Sequence, residues 1–367
     1  MSFMLTVNIA KEIVKQTMIR LNRNINIMDK TGTIIASGNL KRMNQAHFGA
    51  IEVLRTGRPL IIREMDRHHW EGAYPGINLP IQFQNQIIGV IGITGNPDEI
   101  MEFGELVKMI TEMIIQHSFL TEQLEWKQHL KELIFEDLIN IPLKSETINQ
   151  RLHLIESKIE SPNQVAVVEL DLNESTKSDL LQQFEDFFPL KQTLIGFLSV
   201  NRIFILALNL PEDYLRQKLL QILSILKSKG IAVRIGIGTP VIDQAHIRYS
   251  YDEALCALKL GRKEQPLIAY SEIETKALLD QLDARAKQQF SNRVLGDLSE
   301  KLIDTIEQFV AHNLNIGECA KNMYIHRNSL IYRLKKIKEI TGYDPQSFHD
   351  AMTLQLSIWI WQMEGEE

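Results

Sequence analysis

Cysteine is almost absent: Cys256 and Cys319 are the two in 367 residues, they lie in separate regions, and no CxxC occurs. A disulfide framework and a thiolate zinc site are therefore not signalled, and the composition fits a reducing compartment. Long apolar runs are missing as well. The longest, such as Ile231 to Ile237, are interrupted and fall far short of the ~18–20 residues that span a bilayer. No basic-then-apolar leader opens the chain. The expectation is a cytoplasmic protein without a membrane partner. GxSxG, HExxH and GxxxxGK[ST] do not occur, which removes the common signatures of serine hydrolases, zinc proteases and P-loop nucleotidases. Gly89-x-x-Gly92-x-x-Gly95 is not a dinucleotide fingerprint, and the adjacent His68 and His69 lack well-placed partners for a metal. No catalytic residue, metal site or cofactor is expected.

What is present is ordinary in bulk. Hydrophobic residues make up 44 % and charged residues 23 %, as in folded globular chains, and the length suggests two or three domains. The net charge of -6 excludes a general nucleic-acid coat, so any DNA binding must come from a local basic patch.

Along the chain, apolar residues at Ile9, Ile13, Val14, Met18 and Leu21 predict a helix from Leu5 to Leu21. Ile25–Asp29 and Thr33–Ser37 predict a hairpin turning at Lys30–Gly32, and His47–Thr56 a helix closed by Gly57 and Pro59. A second hairpin pairs Ile77–Phe83 with Ile87–Thr94 around Gln84-Asn85-Gln86. From Pro97-Asp98 a helical pattern runs to about Ile139, with Ile100, Phe103, Leu106, Val107, Ile110, Met113, Ile114 and His117 on one stripe. Roughly 40 residues exceed most globular helices, which suggests a dimer-forming or signal-carrying connector; two helices joined near His117–Thr121 is the alternative. Beyond Pro142, strand-like Val165–Leu172, Thr193–Ser199, Arg202–Leu208 and Ile231–Ile237 alternate with helix-like Tyr214–Ser228 and Ser250–Leu260, an α/β or α+β pattern. From Leu295 onward the chain reads as helical.

The C-terminal segment predicts a helix-turn-helix. Leu302–Val310 is amphipathic, Asn315 can cap Ile316–Met323, and a turn at Tyr324-Ile325 precedes a helix from His326 to Ile340. That helix turns Leu330, Leu334, Ile337 and Thr341 inward. It carries Arg327, Arg333, Lys335, Lys336 and Lys338 against Glu339, five positive residues and one negative in an acidic chain. His326, Arg327, Asn328, Ser329 and Tyr332 are placed to approach bases, and Arg333, Lys335 and Lys336 phosphates. Periodicity and charge alone leave open a solvated basic helix of an ordinary bundle.

The run Tyr324–Gly342 resembles the C-terminal helix-turn-helix of the PucR and carbohydrate diacid regulator family. His326-Arg327-Asn328, Leu330, Tyr332-Arg333-Leu334 and Thr341-Gly342 carry the match, with Ser329 where that pattern has Thr. The N-terminal part resembles the family's sugar-diacid recognition domain at Asn24–Asp29, Ser37-Gly38, Arg42, His47, Gly49-Ala50, Gly72, Gly76–Pro80 and Gly89–Gly95. Asn44 stands where that pattern has Gly, and Asn96 where an acidic residue is common. The middle resembles the family's GGDEF-like domain at Gly236-Ile-Gly238, Ser250-Tyr251, Glu253-Ala254 and Ala257-Leu258.

The resemblance implies a multidomain α/β plus all-α chain. Residues 1–138 would form a PAS/Cache-like α/β sensor domain with its connector helix, 139–285 a GGDEF-like α/β domain, and 290–367 a helix-turn-helix bundle. An active GGDEF cyclase carries a glycine pair and acidic residues on a hairpin; the corresponding Leu198–Phe204 has neither, and Asp171 alone is a weak metal signal, so this domain would be catalytically degenerate. The implied function is a ligand-responsive transcriptional activator acting on double-stranded operator DNA. Its genes would serve uptake or catabolism of small hydroxy acids or sugar diacids of the glycerate, glucarate, galactarate or glycolate type. A homodimer or higher homo-oligomer is expected. A carboxylic-acid effector needs cations or clustered N–H donors. Ser37, Gly38, Arg42, His47, Gly76, Ile77, Asn78 and Leu79 are the candidates for that role, with Arg63, Arg67, His68 and His69 as further cations. The alternatives are a metabolite-binding signalling adaptor without DNA binding and, more remotely, a cyclase-related enzyme.

Overall fold

A computed structural model describes residues 5–21, 23–70, 74–140, 145–170, 177–189 and 191–364. Gly72 and Asp171, and the side chains of Arg67, His68 and His69, lie outside the described residues. The chain divides into two compact units, Met1–Gln128 and His129–Glu367.

The first unit comprises α1 (Val7–Leu21), β1 (Ile25–Met28), β2 (Ile34–Ser37), α2 (Phe48–Thr56), β3 (Leu60–Ile62), β4 (Gly76–Phe83), β5 (Gln86–Thr94) and most of α3 (Pro97–Asn140). The strands form one antiparallel sheet in the order β2-β1-β5-β4-β3. Alternation along each strand gives the sheet two different faces. One presents Ile25, Ile27, Ile77, Leu79, Ile81, Ile91 and Ile93 to α1 and α3. The other presents Met28, Ile34 and Val90 to Ala50 and Val53 of α2. Each such side chain contributes about 1.5–3 kcal/mol by leaving water. The β4–β5 turn is two residues, Gln84 and Asn85, both at positive φ (49° and 61°), the geometry that matches strand twist. Gly57 closes α2 in the left-handed conformation at φ 70°, where glycine carries no steric cost.

Asn44, standing in place of the expected glycine, also takes positive φ (62°), which asparagine tolerates better than other side chains. Asn96 begins α3: its Oδ1 accepts from the Asp98 N–H at 3.3 Å and its Nδ2 donates to Glu99. Both departures from the family pattern are thus accommodated by local backbone chemistry.

Helix α3 is continuous through His117–Thr121, so the two-helix alternative does not hold. The expected single stripe does not hold either. Ile100, Gly104, Val107, Thr111 and Ile115 are buried, whereas Phe103, Leu106, Ile110 and Met113 are exposed.

The second unit takes the last part of α3, then α4 (Ser145–Leu154), β6 (Asn163–Leu170), α5 (Lys177–Phe187), β7 (Thr193–Ser199), β8 (Arg202–Leu208), α6 (Glu212–Ser228), β9 (Val233–Ile237), α7 (Ile247–Leu260) and β10 (Leu267–Ala269). Its sheet runs β10-β9-β6-β8-β7, with the β9–β10 pair parallel and the others antiparallel. Helices α5 and α6 cover one face. The end of α3, with α4 and α7, covers the other, where the Phe135 ring stacks on Phe204 at 3.9 Å between centroids. Short β3 and β10, and helices α4 and α5, have no counterpart in the sequence reading.

Six helices complete the unit: α8 (Tyr270–Asp280), α9 (Ala284–Leu295), α10 (Glu300–Ala311), α11 (Ile316–Asn322), α12 (Arg327–Thr341) and α13 (Phe348–Glu364), with α8 leading into the bundle formed by the last five. Ile303, Ile306, Phe309, Ala320, Leu330, Leu334, Ile337, Leu354 and Ile358 make a common core. Among the described residues no helix is long and apolar enough to cross a membrane.

Candidate functional sites

The α2 face of the first sheet has a polar centre. Strand register places Ser37, Asn26, Gly92 and Asn78 in one row across β2, β1, β5 and β4. Ser37 Oγ donates to Asn26 Oδ1 at 2.6 Å and accepts from the Asn39 N–H at 3.0 Å. Gly92 leaves a gap in the row: a Cβ there would stand 2.9 Å from Asn78 Oδ1. Above the row lies the N-terminus of α2, where a Cβ on Gly49 would stand 3.2 Å from His47 Cε1 and 3.3 Å from Asn78 Nδ2. Asn78 is 3 % exposed, and no described side chain or backbone group bonds its amide. A buried amide pays a desolvation cost unless a partner is supplied.

Arg42 and His47 bring the charge chemistry. Both are buried, Arg42 on the short turn Leu40–Arg42 that follows β2. The Arg42 guanidinium lies 5.2 Å from the centre of the Tyr74 ring. Burial lowers its pKa and Tyr74 opposes that, yet an arginine keeps its charge at any working pH. His47 caps α2: its Nδ1 accepts from the Ala50 N–H at 3.2 Å. Burial, then the neighbouring Arg42 charge, lowers the His47 pKa to about 4. The ring is therefore neutral at pH 7, with its proton on Nε2 as a donor. Arg42, the His47 Nε2–H and the Asn78 amide together can bind a carboxylate with an adjoining hydroxyl.

The candidates from the sequence do not all gather here. Ser37, Arg42, His47 and Asn78 belong to this face. Ile77 and Leu79 point their side chains into the opposite core beside α3, because successive strand residues alternate. The Gly76–Asn78 backbone lies between β3 and β5, so the ladder takes the amides proposed for ligand binding. Gly38 is exposed at the end of β2, against Met18 and Asn24. Arg63 forms an exposed ion pair with Asp98 at 3.1 Å. Asn26, Tyr74, Gly49 and Gly92 were not singled out for the site. An asparagine in the otherwise apolar run Ile25–Met28, on the alternating register of Asn78, was the available signal.

The second site is the surface of α11 and α12. Asn315 Oδ1 accepts from the N–H groups of Gly317 and Glu318 at 2.9 and 3.2 Å, starting α11. His326 Nδ1 accepts from the Asn328 N–H at 3.2 Å and starts α12, which Gly342 ends at φ 79°. With Leu330, Leu334 and Ile337 fully buried, His326, Arg327, Asn328, Ser329, Tyr332, Lys335 and Lys336 face outward. Thr341 is half-buried rather than part of the sealed stripe. Arg333 is half-buried and donates to Thr305 Oγ1 of α10 at 3.3 Å, so it also ties α12 to the bundle. The turn between the helices holds a residue the sequence left unassigned: Tyr324 is 95 % exposed and sits at φ 54°.

In the middle domain, the β7–β8 hairpin turns at Val200-Asn201, and Arg202 pairs with Glu169 at 2.8 Å beside it. Among the described residues no three His, Cys, Asp or Glu side chains gather as metal ligands.

Three families match the chain in succession. Sugar diacid recognition matches residues 5–138, the GGDEF-like domain 143–260, and the PucR C-terminal helix-turn-helix domain 302–360. The chain is 30 % identical to the carbohydrate diacid regulator of Escherichia coli (strain K12) over 375 residues, 96 % of this chain and 97 % of that one. It is 31 % identical over 360 residues to an uncharacterized protein of Haemophilus influenzae, covering 95 % and 96 % of the two. It is 22 % identical over 335 residues to the DNA-binding transcriptional activator AdeR of Bacillus subtilis (strain 168), covering 85 % and 78 %.

Proposed function

The chain belongs to the carbohydrate diacid regulator family, and from that premise we propose that it is a cytoplasmic, effector-responsive transcriptional activator of operons for small hydroxy acids or sugar diacids. Its domains are a PAS/Cache-like sensor with connector helix at 1–138, a catalytically degenerate GGDEF-like domain at 139–285 and the DNA-binding bundle at 290–367. It works without a catalytic site or resident cofactor, as a homodimer or higher homo-oligomer. The outward face of α12 reads operator DNA. His326, Arg327, Asn328, Ser329 and Tyr332 approach base edges, Arg333, Lys335 and Lys336 approach phosphates, and Tyr324 joins them from the turn.

The observation that carries the sensor reading is Asn78: buried, unpartnered among the described residues, and next to the neutral His47 and the Arg42 cation. A glycerate-type or aldarate-type acid offers a carboxylate and a hydroxyl that suit these groups. Binding there favours one arrangement of α3 over another through differential affinity, and α3 passes that difference on to the DNA-binding bundle.

Thermal unfolding of the full chain against glycerate, glycolate, glucarate and galactarate tests the pocket. An acid that binds the native state raises Tm with its concentration, by about 2.7 kcal/mol of stability at 100 times Kd. Arg42→Ala and Asn78→Ala should abolish the shift. If no acid moves Tm while a salt-dependent, sequence-selective DNA complex persists, the sensor reading fails and the DNA-binding reading stands. Binding of an acid with no DNA complex favours the adaptor instead.

A further inference from the structure

Helix α3 carries a second apolar stripe that the sheet does not cover. Phe103, Leu106, Ile110, Met113, Leu120 and Leu124 follow one another at alternating intervals of three and four residues, with His117 filling the remaining place. All seven are exposed, Met113 to 62 % and Leu124 to 69 %. The core contact is made by a neighbouring face, through Ile100, Gly104, Val107, Thr111 and Ile115. An apolar seam repeating every 3.5 residues is built to face another helix, each side chain entering a hole formed by four residues opposite. Here it is sustained over three heptads, a length of about 32 Å along the helix.

The charges say what faces it. The positions that flank the seam are Val107, Met109, Ile114, Gln116, Thr121 and Gln123, none of them charged. A charged partner helix would find no counter-charge there, whereas a second copy of the same helix meets no like charge on either side.

We propose that this stripe pairs with the same stripe of a second copy as a parallel two-stranded coiled coil. Phe103, Ile110, His117 and Leu124 occupy the first core position of successive heptads, and Leu106, Met113 and Leu120 the fourth. His117 sets the direction. In the parallel pair it meets the same histidine of the other copy, and one imidazole can donate while the other accepts. In the antiparallel pair centred between Ile110 and Met113 it would lie against Leu106, a polar group left without a partner. A lone polar residue at a first core position is a known means of fixing register. The proposal gives the homo-oligomer reading a surface; it stands on α3 alone, so effector binding and DNA binding could each fail without touching it.

Sedimentation of the full chain and cysteine cross-linking test it. The wild-type chain should sediment as a dimer, and Ile110→Lys with Met113→Lys as a monomer of unchanged far-UV circular dichroism, since both side chains are exposed. Leu106→Cys and Leu120→Cys, each alone, should form a disulfide-linked dimer on mild oxidation, above the background of the two native cysteines. A monomeric wild type, or a double-lysine variant that remains dimeric, overturns the proposal. So does a cross-link that forms in neither cysteine variant, the outcome of an antiparallel pair, which sets Leu106 against His117 and Leu120 against Phe103. Should the lysine variant fail to fold, the cysteine variants decide alone.

Discussion

The polar face beside α2, proposed as the effector pocket, and helix α12, proposed to read DNA, assemble their polar groups in opposite ways. The pocket draws residues 26, 37, 42, 47 and 78 from separate segments and buries them all. The helix draws its groups from a single stretch, His326–Lys336, and leaves most of them in water. Burial makes a polar group part of the stability balance, because it must be hydrogen-bonded or held neutral. Exposure removes that constraint. Pocket residues should therefore move stability and binding together, and helix residues binding alone.

The largest expected effect tests the pocket side of that contrast. The His47 pKa is lowered to about 4, mainly by burial and then by Arg42. The unfolded chain binds the proton with an ordinary affinity near 6.5, the folded chain only near 4. Stability from the neutral ring is thus present in full above about 6.5 and is lost as pH falls through the window down to about 4. A shift of this size corresponds to about 3 kcal/mol. Wild-type Tm should fall between pH 7 and pH 4.5 by more than that of His47→Asn, in which the asparagine can still cap α2. Parallel pH curves for the two proteins would show that His47 is not held neutral by its surroundings.

The same contrast explains what the sequence could and could not tell. The helix-turn-helix was legible because its first cap, inward stripe and cations are contiguous: Asn315, Leu330, Leu334 and Ile337 play the structural parts their spacing suggests, while the capping of α12 by His326 and Gly342 is visible only in the fold. The pocket was legible only in pieces. The family motif presents Gly76–Pro80 as a block, but strand alternation sends Ile77 and Leu79 to the α3 core and Asn78 to the α2 face. Asn26 escaped notice because its neighbours in the row come from β2, β5 and β4, and only the register brings them together. In α3 a core stripe and a seam at nearly the same period overlap at Val107 and Ile114, and merged into one apparent face. Strands β3 and β10, three residues each, are too short for periodicity to register.

On the helix side, Arg327→Ala and Asn328→Ala should each weaken specific DNA binding by about 1–3 kcal/mol, the usual worth of a base-reading side chain. Tm should stay within a degree or so of wild type, as both side chains are exposed. Lys336→Ala should instead weaken binding to all sequences alike and reduce the salt slope by about one. Anisotropy titrations at several salt concentrations distinguish the two behaviours. A fall of several degrees in Tm for Asn328→Ala would erase the division between the two sites.

The smallest effect expected is also the sharpest, because stability and binding should move in opposite directions. Tyr324 holds the left-handed conformation in the turn before α12, with 95 % of its surface in water. That backbone costs a non-glycine residue about 1–2 kcal/mol, and so exposed a ring recovers little of it through packing. Glycine would relieve the strain while adding freedom to the unfolded chain, so Tyr324→Gly should leave stability unchanged or raise it by about 0.5 kcal/mol. DNA affinity should fall several-fold, since a contact group beside the N-terminal end of α12 has been removed. Calorimetry and DNA titration of this variant read the two quantities separately. A lower Tm would mean that the tyrosine packs after all, and an unchanged affinity would remove it from the DNA-facing set.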